Sequence, residues 1–136
     1  MDPEWEGGQT LPNVEEAEID VRKFEQYSLN PENPNNQGKW MAFAAIGYEV
    51  NSPQGRQIAT EDIIEQLRTK LPHLLATQEE PSIYGLRFEV QVTIRGLNGK
   101  EGNLITKWQI DRGKTKPRLI SNWLKFPQSR EMENES

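Results

Sequence analysis

The run Leu86-Arg87-Phe88-Glu89-Val90-Gln91-Val92-Thr93-Ile94-Arg95 alternates apolar and polar residues without a break. Only an extended strand, whose successive side chains point to opposite faces, puts such a sequence half into a core and half into water. Leu97-Asn98-Gly99-Lys100 follows, and because Asn-Gly tolerates the positive φ of a tight hairpin, a second strand, about Asn103 to Ile110, should return antiparallel. Asp111-Arg112-Gly113-Lys114 turns the chain again, and a strand from Pro117 to about Lys125 closes the series. A weaker strand around Leu74 to Glu80 pairs ahead of Tyr84, which makes four strands in meander order.

Upstream the period changes. Asp20 is a candidate N-cap for a short helix from Val21 to about Ser28, with Phe24 and Tyr27 on one face. The segment from Asn30 to Gly38, with two prolines and several asparagines, breaks regular structure. A second helix is expected from Lys39 to about Ile46, ended by Gly47 as the left-handed residue. Residues 51–59 read as a loop. Thr60 then caps a third helix, whose Ile63, Ile64, Leu67 and Leu71 form an apolar stripe before Pro72 stops it. Helices first and strands later predict an α+β fold, with three short N-terminal helices packed on a four-stranded antiparallel β-meander.

A chain of 136 residues has room for one core. The reading is a mobile acidic arm over residues 1–16, a single α+β domain over 17–126 and a disordered tail over 127–136. There are no cysteines, which excludes disulfides, cysteine-based zinc sites and a thiol nucleophile. The first residues have neither the basic start nor the apolar stretch of a secretory signal, and no apolar run approaches the roughly 20 residues of a membrane span. A cytoplasmic protein is the expectation.

The net charge of −5 hides a division. Residues 1–37 carry two basic and nine acidic residues, for −7, whereas residues 82–126 carry nine basic and three acidic, for +6. An anionic partner on the meander would account for that asymmetry. So would ordinary use of Lys and Arg on the open face and edges of a sheet.

Leu11-Pro12-Asn13, Tyr27-Ser28-Leu29-Asn30-Pro31-Glu32, Gly38-Lys39, Tyr84-Gly85-Leu86-Arg87-Phe88, Asn98-Gly99-Lys100, Thr106-Lys107-Trp108 and Pro117-Arg118-Leu119-Ile120-Ser121 occur in that order. Over residues 11 to 126 the chain resembles an uncharacterised bacterial domain family, found as stand-alone toxin-like proteins and at the C-termini of polymorphic toxins and phage head-morphogenesis proteins. That family has a suggested kinship with the barnase, EndoU, colicin and RelE group of ribonucleases. The resemblance implies a toxin-type, metal-independent RNA endonuclease of a bacterial toxin–antitoxin pair, with RNA and a small cognate antitoxin-like protein as partners. A non-catalytic protein- or nucleic-acid-binding module, an inactivated relative, is the other reading. Members of the family usually read Asn-Pro-Glu-His-Pro, whereas this chain has Asn33 at the histidine position.

Such a ribonuclease needs a proton acceptor for the 2′-hydroxyl, a donor for the leaving oxygen, and cations or N–H groups facing the developing charge. Lys39, Arg87 and Arg118 could supply positive charge, and Thr106 and Ser121 could donate hydrogen bonds to phosphate. Arg87 and Arg118 could equally form cross-strand pairs with Glu89 or Asp111, and Lys39 could be an ordinary solvated residue. His73, the single histidine, suits a helix C-terminus. Trp40, Trp108 and Trp123 are core candidates, with base stacking the sharper reading for Trp123. No cofactor and no metal are predicted: one histidine without cysteine is too few zinc ligands, and the early acidic residues lack the spacing of a calcium loop.

Overall fold

The structure, a computed structural model, describes residues 9–125. Its sheet has four antiparallel strands in sequence order, β1 (Thr77–Ser82), β2 (Gly85–Arg95), β3 (Glu101–Asp111) and β4 (Arg118–Lys125). The meander follows from the strand period and the turns. Gly99 takes φ +88° in the β2–β3 turn, and Asn98 Oδ1 accepts from the Lys100 N–H at 2.9 Å, as an Asn-Gly hairpin requires. The first strand lies three residues later than the expected Leu74 start, because Leu71–His73 extends the preceding helix as a 3-10 turn.

The helices differ from the expectation of three short ones. Helix α1 (Trp40–Ala45) is as short as expected and is followed by Gly47 at φ +104°. Helix α2 (Pro53–Lys70) has 18 residues, so the expected loop at 51–59 is mostly helical. Ser52, not Thr60, is its N-cap: the Ser52 Oγ accepts from the Gly55 N–H at 3.0 Å, and Pro53 occupies the first turn, where its missing N–H costs nothing. Gly55, Ala59, Ile63 and Leu67 then form one buried stripe at four-residue spacing. Ahead of α1, Lys23–Ser28 makes a single wide turn in which the Leu29 N–H reaches the Phe24 carbonyl, five residues back, at 2.9 Å. Asp20 caps its start, as expected: Oδ1 accepts from the Arg22 N–H at 3.0 Å and the Asp20 carbonyl from the Lys23 N–H at 2.9 Å, while the carboxylate also accepts from the Arg22 side chain.

One face of the sheet meets these helices. Phe88, Val90, Val92 and Ile94 of β2 and Leu104 and Trp108 of β3 are almost completely buried with Phe24, Phe43, Ile63 and Leu67. Burying a side chain of this kind contributes about 1.5–3 kcal/mol, so this layer is the main source of stability. Residues 9–16, read from sequence as part of a mobile arm, pack onto it: Leu11 and Val14 are buried, and the Gln9 carbonyl accepts from the Ala76 N–H. The remainder of that arm and the expected tail lie outside the described residues.

Both flanks of the sheet are closed by hydrogen bonds to segments outside it. Beyond the reach of short β1, Gln66 of α2 accepts from the Arg95 N–H and donates to the Arg95 carbonyl, each at 2.9 Å. An amide side chain thus stands in for a neighbouring strand. On the other side, Glu18 exchanges backbone hydrogen bonds with Pro117 and Leu119, and Asn122 Nδ2 donates to the Lys23 carbonyl at 3.3 Å.

Candidate functional site

The second face of the sheet is not covered by the helices, and the register determines what it presents. Glu79 pairs with Arg87, Arg87 with Gln109, and Gln109 with Arg118, which makes one row across four strands. The adjacent row is Thr77, Glu89, Lys107 and Ser121. The third contains Gln91, Ile105 and Trp123. Cross-strand partners share a face, so Arg87, Arg118 and Ser121 are co-facial, with Lys107 and Trp123 beside them.

Arg87, Gln109 and Arg118 of the first row are joined, through Asp111, in a continuous hydrogen-bonded chain. Arg87 Nε donates to Gln109 Oε1 at 3.0 Å, Gln109 Nε2 donates to Asp111 Oδ1 at 2.6 Å, and Arg118 binds Asp111 through Nε at 2.7 Å and Nη2 at 3.2 Å. The Arg118 and Gln109 hydrogen bonds hold the Asp111 carboxyl below the usual range, and Asp111 in turn raises Arg118. Of the two cross-strand pairs weighed for the arginines, Arg118 makes one with Asp111. Arg87 is held by an amide.

The second row centres on Lys107. Its Nζ lies 2.7 Å from Glu89 Oε1 and also binds Glu79, while the Trp123 ring centroid is 5.8 Å away. Burial acts to raise the Glu89 carboxyl, but hydrogen bonds from Gln91 and Lys107 outweigh it and leave Glu89 below its ordinary value. Lys107 is raised in the same way, its two carboxylate partners outweighing burial. The face therefore holds a carboxylate kept ionised beside a lysine kept charged.

Two of the sequence candidates lie elsewhere. Thr106 is on the helix-facing side of β3, fully buried: its Oγ1 donates to the Val90 carbonyl at 2.6 Å and accepts from Trp108 Nε1 at 2.8 Å. It is a core hydrogen bond and cannot reach phosphate. Lys39, just before α1, donates to the Tyr27 hydroxyl at 2.7 Å and stands 4.8 Å from that ring's centroid. Tyr27 lines a polar cleft of about 470 Å³ at the β4 edge together with Lys23, Asn33, Ile120 and Ser121. Ser121 is thus common to the cleft and the open sheet face. Asn33, where the resemblance implies a histidine, donates to the Gln26 carbonyl at 2.7 Å and accepts from the Asn35 N–H at 2.8 Å.

Sequence reasoning missed Gln109, Glu79, Glu89 and Lys107 as site members. Glu89 and Lys107 were legible as open-face residues of their strands, but only the register shows that they meet. Trp108 is fully buried, as a core role requires, while Trp123 stays half-buried on the open face. His73 ends the 3-10 turn after α2 and is exposed. Among the described residues no group of three or more His, Asp or Glu side chains could hold a metal ion, and no helix is long and apolar enough to cross a membrane.

Comparison with known proteins adds a fold and a family. A chain of a contact-dependent growth inhibition toxin–immunity protein complex from Klebsiella pneumoniae 342 superposes with a TM-score of 0.56 at 15% identity, over 79% of this chain and 98% of that one. At such identity the likeness concerns the fold. No curated protein matches. The model of a domain family of unknown function, DUF6883, matches residues 10–126, and the chain belongs to that family.

Proposed function

We propose that this chain is a toxin-like, RNA-directed module that works through the open face of its sheet. The observation that carries the reading is the co-facial placement of Arg87, Lys107, Arg118, Ser121 and Trp123 in adjacent rows beside Glu89. In this reading the two arginines and Lys107 face phosphate, and Ser121 donates a hydrogen bond to a non-bridging oxygen. Trp123 supplies a ring on which a base stacks, a contact worth about 1–3 kcal/mol.

Glu89, a carboxylate between Lys107 and Gln91 on this face, is the group assigned here to take the ribose 2′-hydroxyl proton. When the 2′-oxygen attacks phosphorus, the Lys107 ammonium and the guanidinium of Arg87 would stabilise the charge that develops on the phosphate oxygens. The leaving 5′-oxygen needs a proton, and the family's histidine position is filled by Asn33, an amide that cannot give one. Solvent entering from the cleft beside Ser121 would have to supply it, which predicts slow turnover. The fold likeness to a chain of a toxin–immunity complex supports a toxin-like reading.

A second reading is a non-catalytic partner-binding module, favoured by the engagement of Lys107 with two carboxylates and of Arg118 with Asp111. Growth on induction and RNA cleavage by the purified chain separate the two. Under the first reading induction slows growth, Glu89→Gln abolishes cleavage with RNA affinity retained, and Arg87→Gln with Arg118→Gln weakens RNA binding and flattens its salt dependence. A wild-type chain that neither binds nor cuts RNA at low salt removes the RNA-directed reading.

A further inference from the structure

The antiparallel meander brings the β1–β2 turn and the β3–β4 turn to the same end of the sheet. Gly85 pairs with Asp111, and the Arg112 N–H donates to the Tyr84 carbonyl at 2.8 Å. Two kinds of exposed side chain meet there. From the first turn and the start of β2 come Ile83, Tyr84 and Leu86, 73%, 64% and 43% exposed. From the second come Arg112, Lys114 and Lys116, all exposed, and none of them has a carboxylate within 4 Å among the described residues.

Leu86 belongs by alternation to the same stripe as Phe88 and Val90, but the helical layer does not cover it. Large apolar side chains left in water cluster here, and a patch of this kind beside polar residues is characteristic of an interaction site. Both turns are fixed before any partner arrives. The Tyr84 N–H donates to Ser82 Oγ at 3.0 Å, the Lys114 N–H donates to the Asp111 carbonyl at 2.9 Å, and Asn13 Nδ2 donates to the Thr115 carbonyl at 2.8 Å. Pre-organised loops lose little entropy on binding.

We infer that this end of the sheet, where Ile83, Tyr84 and Leu86 meet Arg112, Lys114 and Lys116, is a docking surface for an acidic protein that offers an apolar recess. The charge selects an acidic partner: three cations within five residues of turn, with the nearby Asp111 already bound to Arg118. Glu18 lines a cleft of about 330 Å³ together with Lys114 and Lys116 and tempers the field there. The apolar part favours protein over nucleic acid, because Ile83 and Leu86 have no ring on which a base could stack. A tyrosine and an arginine among aliphatic neighbours also match the residues that dominate protein interfaces. The surface is distinct from the open-face rows, and the inference does not rest on the RNA-directed reading.

The test is selection of a displayed random dodecapeptide library on the full chain, followed by titration of a synthetic peptide of the selected consensus. Selected peptides should be rich in Asp and Glu around an aromatic or branched apolar residue. Their affinity should fall about tenfold or more for Ile83→Ser with Tyr84→Ser, and again for Arg112→Ser with Lys114→Ser and Lys116→Ser. The melting temperature should stay unchanged in each variant, since exposed side chains are replaced. Peptides without acidic character, or binding indifferent to both variants, overturn the inference. Binding of a single-stranded RNA oligonucleotide that the triple-serine variant alone loses reassigns the patch to nucleic acid. A concentration-dependent dimer that the same variant dissolves reassigns it to a second copy of the chain. Loss of RNA cleavage in Glu89→Gln bears only on the open face and leaves this surface untouched.

Discussion

Lys107 and Glu89 are direct cross-strand partners on β3 and β2, and the lysine Nζ lies 2.7 Å from Glu89 Oε1 with both side chains about four-fifths buried. At that burial the pair is screened less than a surface ion pair. Removing the cation leaves Glu79 and Glu89 facing each other. Lys107→Met should therefore cost about 1–2 kcal/mol at neutral pH, measured by urea unfolding.

The same pair sets a pH dependence. The folded-state carboxyl of Glu89 lies below its ordinary value of 4.5, so its contribution is full above that value and is lost as pH falls through the lower, folded one. Lys107 lies above its ordinary 10.5, and its share is lost only as pH rises beyond that. Wild type should lose stability on acidification below about pH 4.5 more steeply than Lys107→Met, with unfolding midpoints between pH 2 and 7 as the measurement. Equal slopes for the two proteins would show that the pair does not govern the acid limb.

Asp20 and Arg22 offer a simpler titration. The Arg22 side-chain hydrogen bond, aided by its backbone N–H, brings Asp20 down to about 2. A carboxyl resonance titration by NMR should find that midpoint, and Arg22→Ala should return it toward 3.8. Both groups are solvated, so the change should leave the melting temperature nearly where it was.

Ser52 and Thr60 separate the two possible starts of α2. Ser52→Ala removes the cap that receives the Gly55 N–H and should cost about 1 kcal/mol. Thr60 is fully buried inside the helix with an Oγ1 that has no hydrogen-bond partner. Thr60→Val removes an unpaired hydroxyl and should be neutral or stabilising by up to about 1 kcal/mol. If Thr60→Val instead destabilises like a lost cap, the helix begins where the sequence alone placed it.

Thr106 is the fifth case. Thr106→Val deprives the buried Trp108 N–H of its acceptor and should cost about 1–3 kcal/mol. Under the RNA-directed reading, RNA affinity per folded molecule should not change.

The meander was readable because β2 alternates cleanly and Asn98-Gly99 permits one kind of turn. Strand β3 hid its parity. Ile105, Thr106, Trp108, Gln109 and Ile110 are all buried, so neither face looks like the open one, and Thr106 could be placed on the wrong side. Helix α2 began too late in the reading because Ser52-Pro53-Gln54-Gly55 resembles a loop, although a serine followed by proline is also a helix start. Of the proposed site residues, Arg87 was legible from its own strand. Gln109, which joins it to Asp111 and Arg118, was not, since an amide in a strand gives no signal until its neighbours are known. The toxin-like expectation rests on resemblance of motifs, and the likeness to a chain of the toxin–immunity complex is one of fold.

The pairing of β4 skips one residue: Trp108 faces Leu119 and Lys107 faces Ser121, with Ile120 unopposed between them. Side chains alternate strictly, so this single extra residue turns over everything after it. Were Ile120 instead paired opposite Lys107 in regular register, Trp123 would stand opposite Leu104 and press into the helical layer, while Asn122 would be turned out toward water. The bulge at one isoleucine thereby decides which side of the molecule owns a tryptophan, and a chain lacking Ile120 would need no bulge to keep Lys107 opposite Ser121 and Ile105 opposite Trp123.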